Sequence, residues 1–188
     1  TADGATVKNI SFDNAYVNNV ASQAASQKHH GFLAGVVKGT CTFENIFIDA
    51  YQSYNSAHAE AYIGGICGYG NDGASLTFKN CIVNGTIDAA NATKVGGIYG
   101  GPANANCSTV MIDCINYADV EGNDQVSGLM GAVKNSVTYT NCASFGQVNV
   151  KGDNAVTGEY VVNGTCSTVG HYDTNSSKLE YGEHFDVL

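Results

Sequence analysis

Apolar and polar residues alternate in short runs along this chain, and the runs return at a fixed interval. Leu33-Ala34-Gly35-Val36, Ile63-Gly64-Gly65-Ile66, Val95-Gly96-Gly97-Ile98, Val126-Ser127-Gly128-Leu129 and Val156-Thr157-Gly158-Glu159 share one pattern: an apolar residue, a small one, a glycine and a usually apolar one. The glycines stand at 35, 65, 97, 128 and 158, so successive steps are 30, 32, 31 and 30. A second column follows: Phe43-Glu44-Asn45-Ile46, Phe78-Lys79-Asn80-Cys81, Met111-Ile112-Asp113-Cys114 and Tyr139-Thr140-Asn141-Cys142, with Phe12-Asp13-Asn14-Ala15 as a partial first copy. Ile87, Val120 and Val148 form a third column seven residues past the Asn or Asp, and Ile48 or a neighbour serves in the first full copy. Each period therefore holds three short strand-like runs separated by Gly- and Asn-rich turns.

Recurrence of residue type at such an interval is the signature of a repeat architecture. Three runs per period describe a coil, whose turns stack as parallel strands about 4.8 Å apart. The expected fold is all-β: a right-handed parallel β-helix (β-solenoid) of about five coils of roughly 31 residues. Residues 1–28 form an N-terminal partial coil and cap, 29–165 the repeated coils and 166–188 a C-terminal cap, with Leu179, Tyr181, Phe185 and Leu188 covering the core's open end. Phe78 and Cys81 cannot both face inward on a straight strand, so the chain bends at Asn80. Asparagine tolerates the left-handed conformation such a bend needs. Asn14, Asn45, Asn80, Asp113 and Asn141 then make an outward ladder. An antiparallel sandwich explains the strand lengths but not the recurrence. A helical solenoid fails because the runs are rich in Val, Ile, Thr, Tyr and Gly and lack a 3.6-residue period.

Composition narrows the setting. Of 188 residues only 13% are charged, and eight lysines against seventeen acids leave a net charge of −9. There is no arginine, which argues against a nucleic-acid binder, since such proteins displace counterions with Lys and Arg. The longest apolar stretches, such as 63–67, are too short to cross a bilayer, so no membrane insertion of this segment is expected. Thr1-Ala2-Asp3-Gly4 reads as the cut edge of a larger polypeptide. Six N-x-[S/T] triplets, at Asn9, Asn84, Asn91, Asn106, Asn163 and Asn175, permit glycosylation.

The V-G-G-I-x-G and F-x-N-C-x-x-x-G-x-[IV] repeats resemble the GLUG-type repeats of bacterial surface and adhesin-like proteins, which also flank the catalytic part of IgA-specific metallopeptidases. The resemblance spans about residues 30–160. It implies a parallel β-helix of the pectin-lyase type and an extracellular or cell-surface location.

Candidate chemistry is sparse. Cys81, Cys114 and Cys142 stack on neighbouring coils; a thiolate metal site is one reading, but hydrocarbon occupants of the same slot (Ile46, Ala15) favour a buried apolar column. Cys41, Cys107 and Cys166 precede Thr or Ser in turns, where one pairing is conceivable. His29, His30 and His58, with Glu60, lie near coil starts but lack the H-E-x-x-H spacing of a zincin. Asp88, Glu121 and Asn149 point outward on successive coils, too few acids for a calcium site. No consistent threonine column supports ice binding. No catalytic residue, metal or cofactor is assigned. Tyr51, Tyr54 and Tyr62 bracket the loop Gln52–Ala61 and are the candidate ligand-binding residues, since aromatic rings stack on sugars and proteins. The expected role is a non-catalytic module for adhesion, ligand presentation or spacing, whose partner is a glycan or a host or cell-surface protein. The alternative is the β-helix part of a carbohydrate-active enzyme or of a surface peptidase.

Overall fold

The computed structural model describes residues 1–19, 28–55, 60–134 and 137–150, and the backbone of strands Val156–Thr157, Tyr160–Cys166 and Gly170–His171. It is a parallel β-solenoid; among the described residues there is no helix. A wide sheet bends around two corners and carries five layers: strand Thr6–Asn19; strand Thr40–Tyr54; strand Ser75–Asp88; strands Ser108–Ile112, Ile115–Asn116 and Asp119–Gly122; and strands Val137–Ser144 and Gln147–Val150. Two four-stranded sheets close the coil, one built on His29–Gly31, Tyr62–Gly64, Lys94–Gly96 and Gln125–Ser127, the other on Ala2–Asp3, Ala34–Lys38, Cys67–Gly70 and Tyr99–Pro102. Four stacked strands enclose three full turns, fewer than the five coils the repeat count suggests.

The count differs because the last repeat leaves the stack. Val156–Thr157 pairs antiparallel with Gln147–Val150 rather than joining the glycine-motif sheet, and Tyr160–Cys166 pairs antiparallel with Val137–Ser144. Val156 therefore does not extend the Ile63 column. An antiparallel strand at the end of a parallel stack occupies the backbone groups that would template another coil. Gly170–His171 pairs antiparallel with Ala132–Val133 at the same end. Glu159, Leu179, Tyr181, Phe185 and Leu188 lie outside the described residues.

Register corrects the repeat alignment in three places. His30 pairs with Ile63 and Gly31 with Gly64, so Leu33 is level with Ile66 and Gly35 with Gly68, three residues off the expected match. Val7, not Phe12, pairs with Phe43, and Ile10, not Ala15, precedes Ile46 in the cysteine column. In the third column Gln52 pairs with Ile87, while Ile48 pairs with Val83. Gln52 is fully buried; its Nε2 donates to Gly65 O (3.4 Å) and its Oε1 accepts from Tyr54 Oη (3.0 Å), which satisfies a polar group among hydrocarbons.

The core lies inside the coil as columns of like residues. Phe43 and Phe78 stack at 5.3 Å and 11°, and Met111 and Tyr139 continue that column. The first corner is held by Asn9, Asn45, Asn80, Asp113 and Asn141, all with φ between 49° and 57°. Asn80 Nδ2 donates to Asn45 Oδ1 (2.9 Å), Asn45 Nδ2 to Asn9 Oδ1 (2.8 Å), and Asn141 Nδ2 to Asp113 Oδ1 (3.1 Å). Asn9 thus takes the ladder place expected for Asn14. Asn14 is also left-handed (φ 51°), but sits at the register shift beyond Phe12, near the second corner. In the glycine-motif sheet a Cβ on Gly97 would come 2.1 Å from Gly128 O, so the backbones there approach too closely for any other residue.

Candidate ligand-binding site

The second corner turns on small residues. Ala15 pairs with Ala50 and Ala50 with Gly85, and Ala118 and Gly146 continue the same position. Gly85 has φ +98°, and a Cβ there would lie 2.2 Å from Ala50 O, so conformation and space both demand glycine. Outward side chains flank this narrow corner on both sides. Past it run Tyr16, Tyr51, Thr86 and Asp119, paired in that order. Before it run Asp49 and Asn84, with Tyr117 and Phe145 at the same level on the next two layers.

The large hydrophobic side chains that are exposed among the described residues all project from the outside of this bent sheet: Tyr16 (65%), Tyr117 (47%), Tyr51 (42%), Phe145 (41%) and Phe47 (36%). Four form two in-register stacks. Tyr16 and Tyr51 lie 5.6 Å apart at 10°, and Tyr117 and Phe145 lie 5.3 Å apart at 18°. Phe47 belongs to a stripe between the corners, pairing with Ser11 on one side and Ile82 on the other, with Ile115 beyond. The exposed rings are thus grouped around one corner rather than scattered, the kind of patch that makes a candidate interaction surface.

Carboxylates accompany the rings. Asp88 accepts hydrogen bonds from Tyr51 Oη (3.2 Å) and Ser53 Oγ (3.3 Å), and Asn84 Nδ2 donates to Asp49 Oδ1 (3.1 Å). Desolvation, with the adjacent Asp88 charge, raises the Tyr51 phenol above its ordinary value, so it stays a neutral donor. Lys8 and Lys79 lie across the asparagine corner, clamped on Glu44 at 2.8 and 3.3 Å, and hold its carboxyl below the usual range.

Of the three tyrosines expected to bind ligand, only Tyr51 presents its ring. Tyr54 is 4% exposed, bonded to Gln52 and stacked on His30; Tyr62 is 3% exposed, with His29 and Tyr69 against its edges and Lys94 Nζ 4.8 Å from its centroid. Gln52 and Tyr54 also belong to strand Thr40–Tyr54, so the loop starts at Asn55 rather than Gln52. Tyr16, Tyr117 and Phe145 are the other rings around this corner and escaped sequence reading; their signal is an aromatic recurring one coil away, 16 with 51 and 117 with 145.

The other candidates are structural in their contacts. Cys81, Cys114 and Cys142 are buried, and bonds to its two neighbours together with burial push the Cys114 thiol well up. Cys41 and Cys107 are buried, the first donating to Lys38 O and the second to Asn71 O; the Cys166 side chain lies outside the described residues. His29 stacks on Tyr69 at 4.1 Å, and Glu60 reaches Lys94 at 3.5 Å, while His58 lies outside the described residues. Asp88, Glu121 and Asn149 share one register position, all half-buried. Among the described residues no group of three or more His, Cys, Asp or Glu side chains is placed to hold a metal ion.

Fold and surface together define the molecule as a parallel β-solenoid with an aromatic outer corner. Compared with known proteins, the chain matches no family model, no curated protein and no solved structure.

Proposed function

We propose that this chain is a non-catalytic β-solenoid module of a cell-surface or secreted protein, working in adhesion or ligand presentation through its aromatic corner. The observation that carries this reading is the gathering of two exposed in-register ring stacks, one on each side of the second corner, with Phe47 on the stripe beside it. Rings held by a stacked backbone have few rotamers left to lose, so binding there costs little ordering entropy. The resemblance of the repeats to GLUG-type surface proteins supports the location. The test is a binding screen of the labelled chain on glycan arrays and on cell and extracellular-matrix surfaces. Selective binding that a Tyr16→Ala/Tyr51→Ala/Tyr117→Ala/Phe145→Ala variant loses is expected. Binding unchanged in that variant, or catalytic turnover of a polysaccharide by the chain alone, overturns the reading.

A further inference from the structure

The two ends of the stack are finished differently. Antiparallel strands close the C-terminal end, where Tyr160–Cys166 lies on Val137–Ser144 and Val156–Thr157 on Gln147–Val150. At the other end, strand Thr6–Asn19 pairs with Thr40–Tyr54, and among the described residues no strand pairs with its outer edge. Its inward residues Val7, Ile10, Phe12, Ala15 and Val17 are half-buried, whereas each one's partner in the next layer, from Phe43 to Gln52, is buried. The outward side chains are also one neighbour short. Lys79, Glu44 and Lys8 alternate in sign up to this layer, and a further acid would continue the column. Asn9 ends the ladder by accepting from Asn45, and its own Nδ2 has no acceptor among the described residues.

We infer that a second copy of this chain covers this edge, first layer against first layer, about a twofold axis through Ser11. The inference is independent of the binding reading above. Head-to-tail stacking is blocked by the antiparallel strands at the C-terminal end, so the copies meet like end to like end with their edge strands antiparallel. The strand suits that reversal. Its inward positions fall at 7, 10, 12, 15 and 17, with Ala5 before them, a set that reads the same in both directions about residue 11. Val7 then meets the partner's Ala15, Ile10 the partner's Phe12 and Ala5 the partner's Val17, and the half-buried layer becomes core. Each corner uses two outward residues, Lys8-Asn9 and Asp13-Asn14, so the corners keep pace as well. Asn9 comes opposite the partner's Asp13, with Lys8 beside it. That carboxylate supplies both the missing acceptor and the missing charge, and such complementarity fixes register. The rotation leaves the middle faces of the two copies coplanar. Tyr117, on the fourth layer, then stands seven strand spacings, about 34 Å along the axis, from its counterpart, so the dimer presents its ring stacks in pairs.

The test is sedimentation equilibrium of the full chain at low ionic strength, from micromolar to millimolar concentration. A monomer–dimer equilibrium between 19.5 kDa and twice that mass is expected. Ser11 is outward and exposed, so it carries the decisive variants. On the twofold axis it lies opposite itself, and like charges placed directly opposite repel. Ser11→Lys and Ser11→Glu should each weaken dimerisation about fivefold while keeping the parent's far-ultraviolet circular dichroism. An equimolar mixture of the two should pair at least as tightly as the parent, because it sets Lys against Glu. A chain that stays monomeric at every concentration overturns the inference. So does a dimer that both Ser11 variants leave intact, which would place the contact elsewhere, as at the aromatic corner. Two weakened variants that do not recover on mixing overturn the twofold register. Each of these outcomes leaves the adhesion reading standing, since none involves its ligand.

Discussion

Replacing Asn80 by alanine and by glycine should invert the usual order of the two residues. In a strand, glycine ordinarily costs more than alanine because it loses more backbone freedom, by roughly 0.5–1 kcal/mol. Asn80 sits at φ 49°, in the left-handed region, where an ordinary L-residue pays about 1–2 kcal/mol and glycine almost nothing. Either substitution also removes the 2.9 Å bond from Asn80 Nδ2 to Asn45 Oδ1, a solvent-exposed contact worth about 0.5 kcal/mol. Asn80→Ala should therefore destabilise by about 2 kcal/mol and Asn80→Gly by about 0.5–1 kcal/mol. Lys79, one residue earlier on the strand, is the control: there alanine should be the milder change. Urea unfolding followed by circular dichroism, with the slope unchanged between variants, reads both differences. If Asn80→Ala were as stable as Asn80→Gly or more so, the corner would not be a left-handed backbone position and the account of the ladder would fail.

Other expectations follow from the same geometry. Gly97→Ala should prevent native folding, seen as loss of the strand signal and of soluble yield, because its Cβ would lie 2.1 Å from Gly128 O, whereas Gly73→Ala, whose Cβ meets nothing within 4 Å, should cost only the strain of its +73° φ, about 1–2 kcal/mol. Asn116→Leu should destabilise by about 2–4 kcal/mol in urea, since Asn116 is fully buried and bonds both Ala118 O (2.9 Å) and Ala118 N (3.2 Å), which would be left unsatisfied. Glu44 has its pKa depressed by Lys8 and Lys79, so its contribution is fully present above its ordinary value of 4.5 and is lost as pH falls through the lower folded value; a Glu44→Gln variant should match the parent in acid and fall behind it only above that window, by thermal melts across pH. Native protein treated with a thiol reagent should, by mass spectrometry, label no cysteine other than Cys166, because Cys41, Cys67, Cys81, Cys107, Cys114 and Cys142 are buried.

The period was legible in sequence because stacking puts like side chains in one environment: Phe43, Phe78, Met111 and Tyr139 read as a column before any coordinate is known. Phase was harder. The first three glycine motifs each carry two glycines four residues apart (Gly31 and Gly35, Gly64 and Gly68, Gly96 and Gly100), and in the first copy Phe32 takes the place of Gly65, so alignment on a single glycine slips. Gln52 was unreadable as a core residue because its burial depends on two specific partners, Gly65 O and Tyr54 Oη, not on its own polarity. The aromatic corner was half legible. Tyr51 follows from alternation, but which side of a corner Tyr117 and Phe145 flank depends on the left-handed residues that turn the chain, and the end of the parallel stack depends on an antiparallel return that a repeat pattern does not encode.

The most direct measurement is a set of nuclear Overhauser contacts in labelled protein of this 19.5 kDa size. In-register coils require amide-to-Hα contacts linking Phe43 with Phe78, Phe78 with Met111 and Met111 with Tyr139, and ring contacts between Tyr16 and Tyr51. Strong Hα–Hα contacts between strands inside one 31-residue period, with the Phe43–Phe78 contact missing, would show antiparallel hairpins and contradict the solenoid.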